Sequence, residues 1–176
     1  MNGIAFELGG IAVPYTVGGN IQQRIAPLTG GTSIRRMMNG AGVRQTHWRK
    51  LSVQLSGEGW CPLGIDALDW DNPAGLTLKC GEPHSVLSNS NVIALPVARR
   101  TDAPYLPTAR AHLANGNEVP TSISIASHTA TLGAVSGAVA YSVLYFPQLV
   151  VLADPPEHTS DEAGNVTGWT LNTEEK

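Results

Sequence analysis

The side chains of this chain best suited to chemistry near neutral pH are five histidines, His47, His84, His112, His128 and His158, and two cysteines, Cys61 and Cys80. Imidazole titrates in that range, and both residue types ligate metals. None stands in a spacing such as H-E-x-x-H, which would put two ligands on one helix face. Cys61, Cys80 and His84 come nearest to a ligand set, but structural zinc takes four ligands, usually in closely spaced pairs. The sequence therefore predicts two buried cysteines that behave as small apolar residues, and no metal. Gly9-Gly10, Gly18-Gly19 and Gly30-Gly31 lack the helix and lysine that follow in a phosphate loop, and neither G-x-G-x-x-G nor a G-x-S-x-G elbow is present. No cofactor site and no catalytic nucleophile are expected.

Two clusters remain. Asp66, Asp69 and Asp71 surround Trp70, with Trp60 upstream, a composition that suits a sugar-binding or glycosidase site. The plainer reading is that Asp66 and Asp69 solvate a short helix or loop. The second cluster is basic: Arg24, Arg35, Arg36, Arg44, Arg49 and Lys50 fall between Leu8 and Gly57 without one acid, and Trp48 lies among them. Cations beside an aromatic ring can grip phosphates and stack on a base. Against specific recognition stand an isoelectric point of about 5.9 and the absence of a nucleic-acid motif. From Ala153 to Lys176 the balance reverses, to six acids, Glu157, Asp161 and Glu162 among them, against one lysine. Opposite charge at the two ends suits a head-to-tail contact between copies, with two complementary surfaces on each subunit. Arg24, Arg35, Arg36, Arg44, Trp48, Arg49, Lys50, Glu157, Asp161 and Glu162 are thus the candidates to face a neighbour or a channel.

The elements that must position these residues read as strands. Glycine and proline recur throughout, and the segments between them are short and alternating, as in an all-β fold. Leu51, Val53 and Leu55 alternate with Lys50, Ser52, Gln54 and Ser56, which predicts a strand over Trp48 to Ser56 with one buried face. Trp48 and Arg49 break its parity, which calls for a bulge or for protein on both faces there. Strands are also predicted over 4–8, 11–17, 32–38, 76–80, 85–95, 109–113, 122–126, 138–146, 149–153 and 166–171, and one short helix over Leu63 to Trp70. The tail VVLADPPEHTSDEAGNVTGWTLNTEEK reads as strand, polar loop and return strand. The expectation is a single β-rich domain over 1–176, with extended loops at about 20–50 and a C-terminal hairpin at about 138–176. Only 14% of residues are charged, against about 25% in an average soluble domain, as expected where partner subunits cover much of the surface. The longest apolar stretch, Val139 to Ala153, is interrupted by Ser142, Pro147 and Gln148. Neither export by a visible signal nor membrane insertion is expected.

The string from Arg36 to Asn39-Gly40, the run S-G-E-G-W-C-P followed by L-G-I-D-A-L-D at residues 56–69, R-x-D at Arg100 to Asp102, Y-x-P at Tyr145 to Pro147 and W-x-L-x-x-E-E at Trp169 to Glu175 together resemble the small tail-tip or baseplate proteins of bacteriophages with long non-contractile tails. The similarity runs over most of the chain and covers distal-tail and tail-tube-like proteins alike. It implies a β-sandwich or barrel of tail-tube-like type with one short helix, assembled as a hexameric or trimeric ring around a channel through which DNA passes. It also implies a structural role without an active site, other tail and baseplate proteins as partners, assembly in the host cytoplasm and residence in the virion tail. A tail-tube or tail-completion protein is the alternative within that setting. The alternative from another class is a monomeric carbohydrate-binding or hydrolytic β-domain using Trp60, Asp66, Asp69 and Trp70.

Overall fold

A computed structural model describes residues 4–15 and 20–176. The chain is all β, and its contacts group it into two compact units, residues 1–78 with 150–176 and residues 79–149. The first unit contains β1 (Ile4–Leu8), β2 (Ile11–Pro14), β3 (Gln22–Pro27), β4 (Thr32–Arg36), β5 (Gly42–Thr46) and β6 (Leu51–Glu58), and the chain leaves it along β7 (Leu76–Cys80). The second unit carries β8 (His84–Ser88), β9 (Val92–Ala94), β10 (Thr108–Leu113), β11 (Glu118–Thr121), β12 (Ile123–Ala126), β13 (Thr129–Leu132) and β14 (Ala138–Tyr145). The chain returns along β15 (Gln148–Ala153) and ends with β16 (Glu157–Ser160) and β17 (Val166–Glu175).

One sheet runs in the order β2-β1-β7-β15-β17-β6-β3, with β16 also paired to β17. The alternation read in β6 sets its two faces: Val53 and Leu55 are buried, while Gln54 is exposed. Trp169, Leu171 and Thr173 of β17 are buried with them, and Phe6 approaches Trp169 with ring centroids 6.3 Å apart. Each such aliphatic or aromatic side chain removed from water contributes roughly 1.5–3 kcal/mol. Thr173 is tolerated in the buried set because its hydroxyl donates to the Val53 carbonyl at 2.9 Å.

In the second unit, a four-stranded sheet β11-β10-β14-β8 and a three-stranded sheet β12-β13-β9 share one core. Ala109, Ala111, Tyr141 and Val143 come from the first, and Ile93, Ala130 and Leu132 from the second. Alternate residues of both sheets thus fill the space between them, as in a β-sandwich.

Several predicted elements differ. The helix expected over Leu63 to Trp70 is a single 3-10 turn, Ile65–Ala67, because Gly64 enters it at φ +91° and Leu68 is already extended. The strand predicted over 48–56 begins at Leu51, so the parity conflict at Trp48 and Arg49 arises from residues outside the strand, and neither a bulge nor a second protein face is needed. The segment expected as extended loops at 20–50 contains β3 and β5 besides β4, which falls within the predicted 32–38 strand. The 138–176 segment is not one hairpin: β14 pairs with β8 and β10, and the hairpin is β16–β17 alone. The predicted 85–95 strand divides into β8 and β9 around a bend at 89–91. Of the predicted 11–17 strand, Thr16 and Val17 lie outside the described residues.

Candidate subunit interface

β3 and β6 pair from Gln22↔Ser56 to Pro27↔Leu51, and the Leu28 N–H to Lys50 carbonyl bond of 2.8 Å adds one further rung. Beyond it the two chains continue as β4 and β5, which form a sheet of their own. All ten residues of β4 and β5 are exposed. This is an arm that leaves the sheet and buries neither face. In its register Ile34 faces Arg44 and Arg35 faces Val43, so cationic and apolar side chains occupy both sides. At the tip, the Met37 and Gly40 N–H groups donate to the carbonyls of Ala41 and Met37, and Gly40 adopts φ +79°, a region open chiefly to glycine. The Asn39 side chain accepts from the Ala41 N–H, and Arg36 donates back to the Gly40 carbonyl. This network explains the Arg36 to Gly40 string in physical terms. It leaves Met38 fully exposed, with Ile34 at 69% and Met37 at 58%.

The arm is fixed at its root. His47 donates its N–H to the Gly31 carbonyl at 2.8 Å, and Trp48 lies against Gly30 and Gly31. Lys50 does not belong to the arm: its ammonium is engaged by the main-chain oxygen of Lys176, while the Leu51 N–H donates to the Glu175 carboxylate at 2.8 Å. Arg24 lies apart from the arm as well, exposed on β3 opposite Gln54. Of the basic candidates the structure brings Arg35, Arg36 and Arg44 together on the arm and leaves Arg49 exposed at its root.

The acidic candidates occupy the β16–β17 hairpin. β17 pairs with β6 from Glu174↔Ser52 to Gly168↔Glu58, so the turn of this hairpin extends past the Glu58 end of β6, with Glu157 level with Ser56, while the arm continues from the Leu51 end. Eight strand residues separate the two ends by about 25 Å. Glu157 and Glu162 are exposed there. Asp161 is a turn former instead: its carboxylate accepts from the N–H groups of Ala163 and Asn165 and from the Asn165 amide. Those bonds, the Asn165 amide foremost, lower its pKa.

A second acidic surface was not singled out in the sequence. On the outward face of the sheet Gln54 and Asn172 are cross-strand partners, with their amides 3.0 Å apart. Beside them, Trp70, Leu152, Ala153, Asp154, Asn172 and Glu174 line an open groove of about 440 Å³. Leu152 stands opposite Glu174 in the β15–β17 register and is 45% exposed. The groove escapes detection in the sequence because its residues, 70, 152–154, 172 and 174, lie far apart along the chain, and β15 and β17 meet only by pairing. Alternation in β17 carries the one available signal, since it places Asn172 and Glu174 outward together.

The structure does not assemble the sugar-type cluster as a unit. The Asp66 carboxylate approaches His158 Nε2 at 3.4 Å, and Trp60, although exposed, does not line the groove that Trp70 borders. Cys61 and Cys80 are buried, which pushes their thiols up to about 11 and about 12, the nearby Asp66 adding to the effect at Cys61. Among the described residues no group of three or more histidine, cysteine, aspartate or glutamate side chains is placed to hold a metal ion.

One constellation has the atoms of a nucleophilic triad. His112 Nε2 lies 2.8 Å from Ser142 Oγ, and His112 Nδ1 lies 3.5 Å from Glu118. The three are neighbours across β14, β10 and β11, which places them on one sheet face. β14 is flanked by β10 and β8, so the main-chain N–H groups around Ser142 serve the ladders, and no turn or helix start offers oxyanion donors. Arg110, the cation beside it, is paired with Glu118 at 3.3 Å. The arrangement is a cross-strand polar network on a flat face.

No protein-family model matches this chain, and no curated protein matches it.

Proposed function

We propose that this chain is a structural subunit that associates with copies of itself into a hexameric or trimeric ring, in the tail tip or baseplate of a phage with a long non-contractile tail. In this reading it joins tube to tip as a distal-tail or adjoining subunit with a tail-tube-like fold, and it lines the channel through which DNA passes. A tail-tube or tail-completion role is the variant within the same setting. The setting rests on the sequence resemblance. The association rests on the arm.

The observation that carries it is an arm of ten exposed strand residues, three of its arginines on show, projecting from the opposite end of β6 to the acidic β16–β17 hairpin. A two-stranded hairpin is at best marginally stable alone in water. An arm so rich in exposed apolar and cationic side chains gains order when a partner covers it. Complementary charge at opposite ends suits a heterologous contact, which closes into a ring when the rotation permits. Arg49 at the arm's root and Arg24 on the sheet are the remaining cations available to a neighbour or to passing DNA, for which loose, salt-screened attraction suffices.

The test is the native mass of the purified protein with and without R35E/R36E/R44E. A multiple of the 18.5 kDa chain that falls to the single chain in the variant supports the reading. A wild-type protein that stays at single-chain mass at high concentration overturns it, and binding of an oligosaccharide by that monomer would favour the carbohydrate-binding alternative.

A further inference from the structure

The chain offers the arm two acidic surfaces, the β16–β17 hairpin and the groove beside Trp70, and they differ in more than charge. Glu157 and Glu162 are exposed on the hairpin, so they offer the arm ion pairs in water. The groove sets Asp154 and Glu174 around an apolar floor, the half-buried Trp70 ring and the exposed Leu152. Among the described residues neither carboxylate has an ion-pair partner within its own chain. The arm's tip is apolar, Met37 and Met38, and its flanks are Arg35, Arg36 and Arg44.

We infer that the groove of one subunit receives the arm tip of another copy, with Met37 and Met38 against Trp70 and Leu152 and the arginines facing Asp154 and Glu174. This rests on the self-association proposed above and takes the groove, at the Ser52 end of β6, rather than the hairpin at the Glu58 end as the surface that receives the arm. Burying an apolar side chain contributes several-fold more than an exposed ion pair, which favours the groove over the hairpin. A volume of about 440 Å³ accommodates the two methionine side chains, whose unbranched thioethers adapt to an irregular cleft. Arginine over the Trp70 face gains a cation–π contact that a hairpin of acids does not supply. The carboxylates fix the orientation, because they reward the arginine flanks and repel an acidic segment.

Native mass is compared for wild type, for the groove variant D154K/E174K and for the hairpin variant E157K/E162K, each checked for an unchanged circular-dichroism spectrum. The groove variant is then mixed in equal amounts with the arm variant R35E/R36E/R44E. Expected are an oligomeric wild type, a monomeric groove variant, an oligomeric hairpin variant and, in the mixture, complexes that hold the two variants in equal number, because the unchanged arm of one meets the unchanged groove of the other and the reversed arm meets the reversed groove. The mixed complex also demonstrates that each variant is folded where it was not changed. An oligomeric groove variant, a monomeric hairpin variant beside it, or a mixture that stays monomeric overturns the groove as receptor while leaving self-association standing. A monomeric wild type overturns both.

Discussion

Trp48 lies directly on Gly31: a β-carbon at residue 31 would stand 2.3 Å from the Trp48 carbonyl oxygen and 2.5 Å from its indole ring. A carbonyl cannot swing aside as a side-chain end can, so the main chain must shift to admit any other residue. Gly31→Ala is therefore expected to cost about 1–3 kcal/mol, as overpacking does, and to re-aim the arm. A lowered melting temperature with reduced oligomer is the expected result, and a variant that assembles and melts like wild type would show that the contact does not hold the arm.

Replacing Arg35, Arg36 and Arg44 with glutamate should change the unfolding free energy by no more than about 0.5 kcal/mol per site, because all three are exposed. Assembly should be lost while the denaturation midpoint stays near its original value. Raised salt should weaken the wild-type assembly in the same direction.

Arg100 has no exposed side-chain area, yet it is fully engaged. It donates to both oxygens of Asp102 and to the Cys80 carbonyl, and it stacks on Tyr105 with its guanidinium carbon 3.5 Å from the ring centroid. Asp102→Asn leaves that cation without its counter-charge and should cost about 3 kcal/mol. The hydrogen bonds from Arg100 hold the Asp102 carboxyl below its usual range. A depressed folded-state pKa means that the unfolded chain binds the proton more readily. The contribution is therefore complete above a pH of about 4, the ordinary carboxylate value, and is lost as pH falls further. Acid titration of stability should show a shallower loss in the Asn variant.

Both thiols should resist alkylation in the folded protein, since the thiolate is the reactive form and burial raises the pKa to about 11 at Cys61 and about 12 at Cys80. Labelling at pH 8 should become rapid only in denaturant. Fast modification of the native protein would contradict the buried placement.

Ser142 should remain unlabelled by a fluorophosphonate probe despite its 2.8 Å contact with His112. Ser142→Ala should alter stability by roughly 1 kcal/mol, the usual worth of one hydrogen bond. Stoichiometric labelling that is lost in His112→Ala would instead make this network a nucleophilic site.

How much of this could be read from the residues alone depends on where burial imposed a pattern. In β6, Val53 and Leu55 face the core and Gln54 faces water, so the period of two is written in the residue types themselves. β4 and β5 bury no face, so neither carries a burial pattern; β4 is legible from its β-branched Thr32 and Ile34, whereas Gly42 and the polar Arg44 and Gln45 hide β5. The short helix was overread because Ile65 and Leu68 mimic a helical face, whereas the left-handed Gly64 and the extended Leu68 confine the turn to three residues. Charge segregation was legible as composition, and the structure turns it into position by placing three of the six cations on the arm and most of the tail's acids on or beside β16 and β17. The groove was not legible, because Leu152 and Glu174 become neighbours only through the pairing of β15 with β17, and Trp70, from a segment outside both strands, borders the same groove.

The division of the chain also has a consequence for its biosynthesis. Residues 79–149 form one uninterrupted unit, whereas the other unit is split around it. During translation β6 emerges with β3 beside it, but its second neighbour, β17, is made more than a hundred residues later, as the Thr173 to Val53 bond across 120 positions records. At some 5–20 residues per second, the nascent chain carries an open strand edge on β6 for several seconds while the residues of the inserted unit are being made. Polar Ser52, Gln54 and Ser56 on the outward face of β6, together with the exposed cations of the arm, are features that disfavour pairing of such a waiting edge with a second chain.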